Sequence, residues 1–187
     1  TPAFAAADLL EPLHAALAQR LRGIRYVSSA VINLVYPDSI LKSCIDGGGF
    51  GFVVPRRESC RLLAFTWTSR KFDGRAAAGY QLVRVFVGGS RHEELVSLAD
   101  DALLDLIRAE LAATLKIEQA PERSWIFRWP RANAQFDVGH QDRVGEMERL
   151  AAEVPGLHLA GGAYRGIGIP DCTKSALAAV EKIMNRT

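Results

Sequence analysis

The sequence predicts an α/β fold of the α+β kind, in which helices cover a mixed, largely antiparallel sheet. Several runs rich in β-branched and aromatic residues are joined by short polar segments, which is typical of neighbouring antiparallel strands. Other segments carry apolar residues at the spacing of a helix face. With 187 residues, the chain can form one large domain or two small ones around a real core.

The first segment predicts a single helix over residues 5–22. Its apolar residues recur at helical spacing: Leu9, Leu10, Leu13, Leu17 and Leu21. Counted from Asp8, where the apolar repeat begins, Pro12 would lie in the first turn, where proline is tolerated, and Gly23 would end the helix.

The middle of the chain predicts the sheet and its covering helices. Strands are expected at residues 26–35, 50–54, 61–68, 80–87 and 122–129. Helices are expected from residue 92 or 94 to 115 and at residues 138–153.

The tail combines a short apolar run, a glycine-rich stretch and a helix. The apolar run covers residues 157–160, glycines follow up to Gly168, and the helix is predicted at residues 171–184. Such an arrangement brings backbone amides against a phosphate or a flavin edge. A plain glycine-rich turn is the alternative, and the first glycine pair does not form the dinucleotide fingerprint GxGxxG.

Composition and spacing exclude several function classes. The net charge is +2 and the cations are spread along the chain, so no nucleic-acid partner is predicted. Cysteines and histidines lack zinc-site spacing, so no metal is predicted. Neither a paired-carboxylate site nor a Ser/His/Asp constellation is recognisable, and we predict no catalytic side chain. No apolar run is long enough for a membrane span, although peripheral membrane contact is compatible with the sequence.

Five stretches, in order, resemble the oxygen-dependent protoporphyrinogen and coproporphyrinogen oxidases. The most specific is AYRGIGIPDC at residues 163–172. The others are GFGFVVPRRE at 49–58, LLAFTWTSRKFDGRAAAGYQLVRVFVGG at 62–89, RWPRANAQFDVGH at 128–140 and PGLHLAGGAYRG at 155–166. The resemblance covers essentially the whole chain.

This resemblance implies a fold of the flavin amine oxidase type with FAD as cofactor. It implies that residues 1–22 leave the FAD domain, that residues 23–154 form the substrate domain, and that residues 155–187 return to the FAD domain as its last strand and helix. The N-terminal part of the FAD domain, which binds the nucleotide, would be missing from this chain. We therefore expect a C-terminal piece of a longer protein that is inactive alone, with an apolar surface that favours self-association.

The resemblance also assigns site residues. Gly166, Ile167 and Gly168 match the family's flavin-contacting run, Ile169 continues it into the helix, and Trp129 matches a residue near the isoalloxazine. From their charge, Arg70, Lys71 and Arg75 are candidates for binding the propionates of a porphyrinogen. A solvated hairpin loop is the alternative for these three cations, and a core aromatic is the alternative for Trp129.

The predicted function is oxidation of protoporphyrinogen IX or coproporphyrinogen III to the porphyrin in haem biosynthesis, with FAD as cofactor and O2 as acceptor. The expected location is the cytoplasm, with peripheral contact at the inner face of the membrane compatible with it. Another amine oxidase or desaturase of the same superfamily, or a non-catalytic binding module, are the competing interpretations.

Overall fold

The chain forms a five-stranded antiparallel sheet, seen in a computed structural model that describes residues 1–44 and 48–185. Its strands are β1 (Tyr26–Pro37), β2 (Gly51–Val53), β3 (Ala64–Trp67), β4 (Tyr80–Gly88) and β5 (Arg123–Ala134). They lie in the order β2-β3-β4-β1-β5. The predicted fold class is confirmed, and each predicted strand in this region forms.

The strand register places alternate residues on opposite faces. Ile32 pairs with Val85 on the buried face, and Asn33 pairs with Arg84 on the other. The Glu122 amide bonds Val35 O and the Gln135 amide bonds Arg25 O, so β5 runs antiparallel along β1. As an edge strand, β5 tolerates Pro130 and continues past the predicted end at residue 129.

The main core lies between one face of this sheet and helix α5 (Asp100–Leu115). The sheet contributes alternate residues of β1 and β4, and the helix contributes one apolar stripe: Leu103, Leu106, Ile107 and Leu111. Acidic residues in the first turn complement the helix dipole.

The single helix predicted from residue 92 or 94 to 115 is wrong. A 3-10 helix (Glu93–Ser97) comes first, and Leu98 and Ala99 are extended before α5 begins. Arg128 explains the break because its guanidinium bonds Val96 O at 2.9 Å and Leu98 O at 2.7 Å. A side chain about 30 residues away thus satisfies carbonyls that a continuous helix would have used.

The single N-terminal helix is also wrong. The segment forms α1 (Ala3–Leu10) and α2 (Ala15–Arg22), because a helix that starts at Ala3 places Pro12 in its interior, where it has no N–H to donate. His14 then caps α2, its Nδ1 accepting from the Leu17 amide at 3.1 Å.

The short helices α3 (Asp38–Cys44) and α4 (Thr68–Lys71) were not predicted. The first follows Pro37, which was interpreted as the start of a turn. Leu41 of α3 is fully buried in the main core, so tertiary packing favours a helix over a turn at this point.

The remaining helices are α6 (His140–Ala151) and α7 (Ile169–Met184), close to their predicted bounds. A second core joins α1, α2 and α6, with Leu17, Leu21, Val144 and Met147 fully buried.

The chain forms two compact units: Thr1–Tyr26 with Ala134–Thr187, and Val27–Asn133. These units reflect packing, so the flavin and substrate domain boundaries proposed above stay a prediction.

The apolar run at residues 157–160 is not a strand in the structure. A strand needs a hydrogen-bonded neighbour, and the described part of the chain gives this run none. Of the helices described, none is long and apolar enough to cross a membrane.

Candidate functional site

Four of the five residues predicted to lie at the flavin are consecutive and form one bend, here called the glycine turn: Gly166, Ile167, Gly168 and Ile169. Ile167 is 68% exposed and Ile169 is 83% exposed, while the glycines are half-buried. The two isoleucine side chains of the bend thus lie at the surface, and flavin contact at this bend stays a prediction.

Helix α7 begins within the glycine turn, two residues before its predicted start. Gly168 is its N-cap and offers no side chain to the amides of the first turn. Pro170 in that turn lacks an N–H. No side-chain cap accepts from the amides of this helix end, which leaves them available to the pyrimidine edge of a flavin, while the acidic Asp171 in the same turn offsets part of the helix dipole.

The need for glycine in this turn comes from the chain itself. A Cβ on Gly166 would lie 2.6 Å from Cβ, Cγ and Oδ2 of Asp171, and one on Gly168 would lie 3.0 Å from Oδ2. The sequence predicts that the small residues leave room for a ligand. In the structure the glycines leave room for the side chain of Asp171, which lies in the first turn of α7.

Helix α6 fixes the residues just before the glycine turn. Arg165 forms a bidentate pair with Glu148, with Nε–Oε1 at 2.9 Å and Nη2–Oε2 at 2.5 Å, and its Nη1 reaches Gln141. The hydrogen bond from Arg165 lowers the pKa of Glu148 below its ordinary value. His140, buried at the start of α6, bonds Tyr164 O at 2.8 Å.

A cavity of about 320 Å³ lies between α6, α7 and the run at residues 157–160. His158 lies in its wall, and the His158 Nε2 is buried without a hydrogen-bond partner among the described residues.

The apolar face of α7 is uncovered. The large apolar side chains of its last two turns are about half exposed or more: Leu177 59%, Val180 54%, Ile183 49% and Met184 66%. No described residue of this helix is buried. An amphipathic helix normally buries such a face, so this surface suits a further layer of structure.

In the other unit, Trp129 belongs to an aromatic row on β5, formed with Trp125 and Phe127. These three alternate along the strand and are 45–53% exposed. The core alternative for Trp129 is therefore wrong. Its role near a flavin stays a prediction.

The face of the sheet that turns away from the core carries an arginine that the sequence interpretation missed. Arg84 Nε donates to Asn33 Oδ1 at 3.1 Å, directly across β1 and β4. Both side chains are half-buried, and Val31 pairs with Phe86 one step along the same face. A charged residue inside the alternating run YQLVRVFV was the available signal.

The predicted propionate ligands lie together at the β3–β4 connection. The guanidinium of Arg70 lies 3.7 Å over the Trp67 ring, and Lys71 and Arg75 flank Phe72 at 5.5 and 5.8 Å. All three cations are exposed. Substrate contact by this basic tip stays a prediction. Across residues 1–44 and 48–185, no cluster of three metal-ligating side chains is found.

The chain matches a known protein family over nearly its whole length. The profile described as flavin containing amine oxidoreductase matches residues 1–184. Coproporphyrinogen III oxidase of Bacillus subtilis (strain 168) is 33% identical over 180 residues, which is 96% of this chain and 37% of the relative. Chloroplastic protoporphyrinogen oxidase of Oryza sativa subsp. japonica is 29% identical over 190 residues, 97% of this chain and 35% of the relative. The chain thus spans little more than a third of these relatives.

Solved structures agree with the fold. A protein from Exiguobacterium sp. 255-15, provisionally named protoporphyrinogen oxidase, superimposes with a TM-score of 0.83 at 28% identity, over the whole of this chain and 40% of that one. A redesigned putrescine oxidase superimposes with a TM-score of 0.66 over 95% of this chain and 39% of that one. At 14% identity, the second likeness shows the fold alone.

Proposed function

Because the chain belongs to the flavin containing amine oxidoreductase family, we propose that it is the C-terminal part of an FAD-dependent oxidase that converts a porphyrinogen to the porphyrin with O2 as acceptor. The observation that carries the proposal is the match to coproporphyrinogen III oxidase over 96% of this chain. The exposed glycine turn lies inside that match and supports a flavin at this point.

The bound flavin would accept hydride from the porphyrinogen and pass the electrons to O2. The chain's own contribution is electrostatic and geometric. The uncapped amides at the start of α7 would donate hydrogen bonds to the nearby edge of the ring, and Asp171 in the same turn would limit the positive charge that this end offers. Because Arg165 and Tyr164 are anchored on α6, this helix end is held in place before the ligand arrives.

The sheet face opposite the core is the candidate surface for the macrocycle. Val31 and Phe86 offer apolar contact, and the aromatic row on β5 adds exposed ring surface. Arg84 supplies a cation that is held by one hydrogen bond to Asn33, which leaves guanidinium donors for a carboxylate. A flat, apolar molecule with acidic substituents suits this combination.

The uncovered face of α7 and the unpaired run at residues 157–160 suit an absent FAD-binding half. The run would become an edge partner for that half's sheet, and the apolar stripe of α7 would pack against it. The isolated chain is then expected to bind FAD weakly or not at all, to be inactive and to self-associate.

The test is anaerobic mixing of a protein that joins this chain to its FAD-binding half with coproporphyrinogen III and, separately, protoporphyrinogen IX. Bleaching of the flavin absorbance is expected with at least one of them, and the faster reaction names the substrate. Bleaching by an amine alone would favour an amine oxidase of the same fold. A protein that binds a tetrapyrrole but no flavin would be a non-catalytic binding module.

A further inference from the structure

We propose that His140 is a positioning residue for the flavin site, and the proposal rests on the function proposed above. Through one buried hydrogen bond it fixes the backbone from which the glycine turn departs. His140 is the first residue of α6 and is 4% exposed. Its Nε2 lies 2.8 Å from Tyr164 O.

The partner of Nε2 decides which ring nitrogen carries the proton. A carbonyl oxygen can only accept, so Nε2 carries a proton and donates it to Tyr164 O. The Nδ1 atom is buried and has no partner among the described residues. The hydrogen bond from Nε2 to Tyr164 O is therefore the one that holds the ring among the described residues.

The orientation of the imidazole is fixed from its own side. Phe136 stacks on it with ring centroids 3.9 Å apart and planes inclined by 13°. Gly139, at φ 78°, turns the chain into α6. Arg143 closes this loop through Val138 O at 3.2 Å and Asp137 O at 3.3 Å. The donor thus points at Tyr164 before any ligand binds.

The second anchor of this segment is weaker. The Arg165–Glu148 pair has side chains that are 53% and 40% exposed, so water and salt screen it. Tyr164 is 5% exposed, and its carbonyl bond is sheltered. Of the two side-chain anchors on α6, we therefore assign the larger effect on the glycine turn to His140 and the smaller effect to Glu148.

The test uses the flavin-loaded protein with its FAD-binding half. His140→Gln keeps an amide donor at about the reach of Nε2. His140→Asn keeps the amide but is too short, and His140→Phe keeps a stacked ring without a donor. Measurements are the FAD dissociation constant and the flavin midpoint potential. His140→Asn and His140→Phe should weaken FAD binding by about fivefold or more and shift the potential, whereas His140→Gln should stay within about twofold of wild type.

Met147→Ala is the control for a merely structural effect. Met147 lies in α6 and is fully buried in the second core, but it makes no contact with the Tyr164 carbonyl through a hydrogen bond. It should lower the melting temperature and leave the midpoint potential unchanged. Equal behaviour of the Gln and Asn variants, or an equal potential shift in Met147→Ala, overturns the proposal. A wild-type protein that binds no FAD overturns the proposed function together with it, whereas bound FAD with indifferent His140 variants overturns this inference alone.

Discussion

Replacing Gly166 with alanine tests the packing of the glycine turn. The new Cβ would lie 2.6 Å from three atoms of Asp171, closer than real side chains approach. Gly166 is not among the residues with positive φ, so the backbone itself accepts alanine and the clash supplies the cost. Overpacking costs about 1–3 kcal/mol, and the smaller entropy of the unfolded chain returns about 0.4–1 kcal/mol.

We therefore expect Gly166→Ala to lower the free energy of unfolding by about 1–2 kcal/mol, measured by urea titration with circular dichroism. The matched control is Gly145→Ala in α6, where a Cβ meets nothing within 4 Å. It should stabilise the chain by about 0.5–1 kcal/mol. Adding Asp171→Gly removes the clashing atoms, so the double variant should be less destabilised than the sum of the two single variants. A Gly166→Ala chain as stable as wild type would refute the reasoning.

Three further results are expected. The hydrogen bond from Arg165 lowers the pKa of Glu148, so the stabilising charge of Glu148 is present above the ordinary carboxyl pKa and is lost as pH falls through the lowered value. Glu148→Gln should therefore reduce the loss of unfolding free energy at acid pH by about 0.5 kcal/mol, and a loss equal to that of wild type would contradict this. Val180→Asp places a charge on the exposed apolar face of α7 and should reduce self-association of the isolated chain, measured by sedimentation. The control Glu181→Gln should not. Equal effects of the two changes would show that α7 does not form the self-association surface. Arg84→Leu should raise the KM of the full-length oxidase for the porphyrinogen about tenfold. A larger rise in Arg70→Leu would indicate that the basic tip, and not Arg84, binds the carboxylates.

Local pattern predicted the sheet well because the alternation in β1 and β4 reflects burial on one face. It failed where a distant partner decides the local structure. Arg128 ends the 3-10 helix from across the chain, and the run at residues 157–160 has no strand partner in the described residues. The N-terminal break is different. Pro12 was visible, but its effect depends on where α1 starts.

The candidate site likewise contains residues that the sequence predicts and residue pairs that only the fold brings together. The glycine turn and Trp129 could be predicted as candidates because their motifs are contiguous in the sequence. Strand register brings Arg84 to Asn33, and the fold brings His140 to Tyr164. No periodicity predicts either pair, since each depends on two segments meeting in space.

Hydrogen exchange of the backbone amides around the glycine turn tests the central claim most directly. In the protein that includes the FAD-binding half, peptides covering residues 165–172 should exchange more slowly when FAD is added, because the start of α7 would face the flavin. Peptides from the 3-10 helix at Glu93–Ser97 should not change. Slower exchange elsewhere, with unchanged exchange at residues 165–172, would contradict the placement of the flavin against this turn.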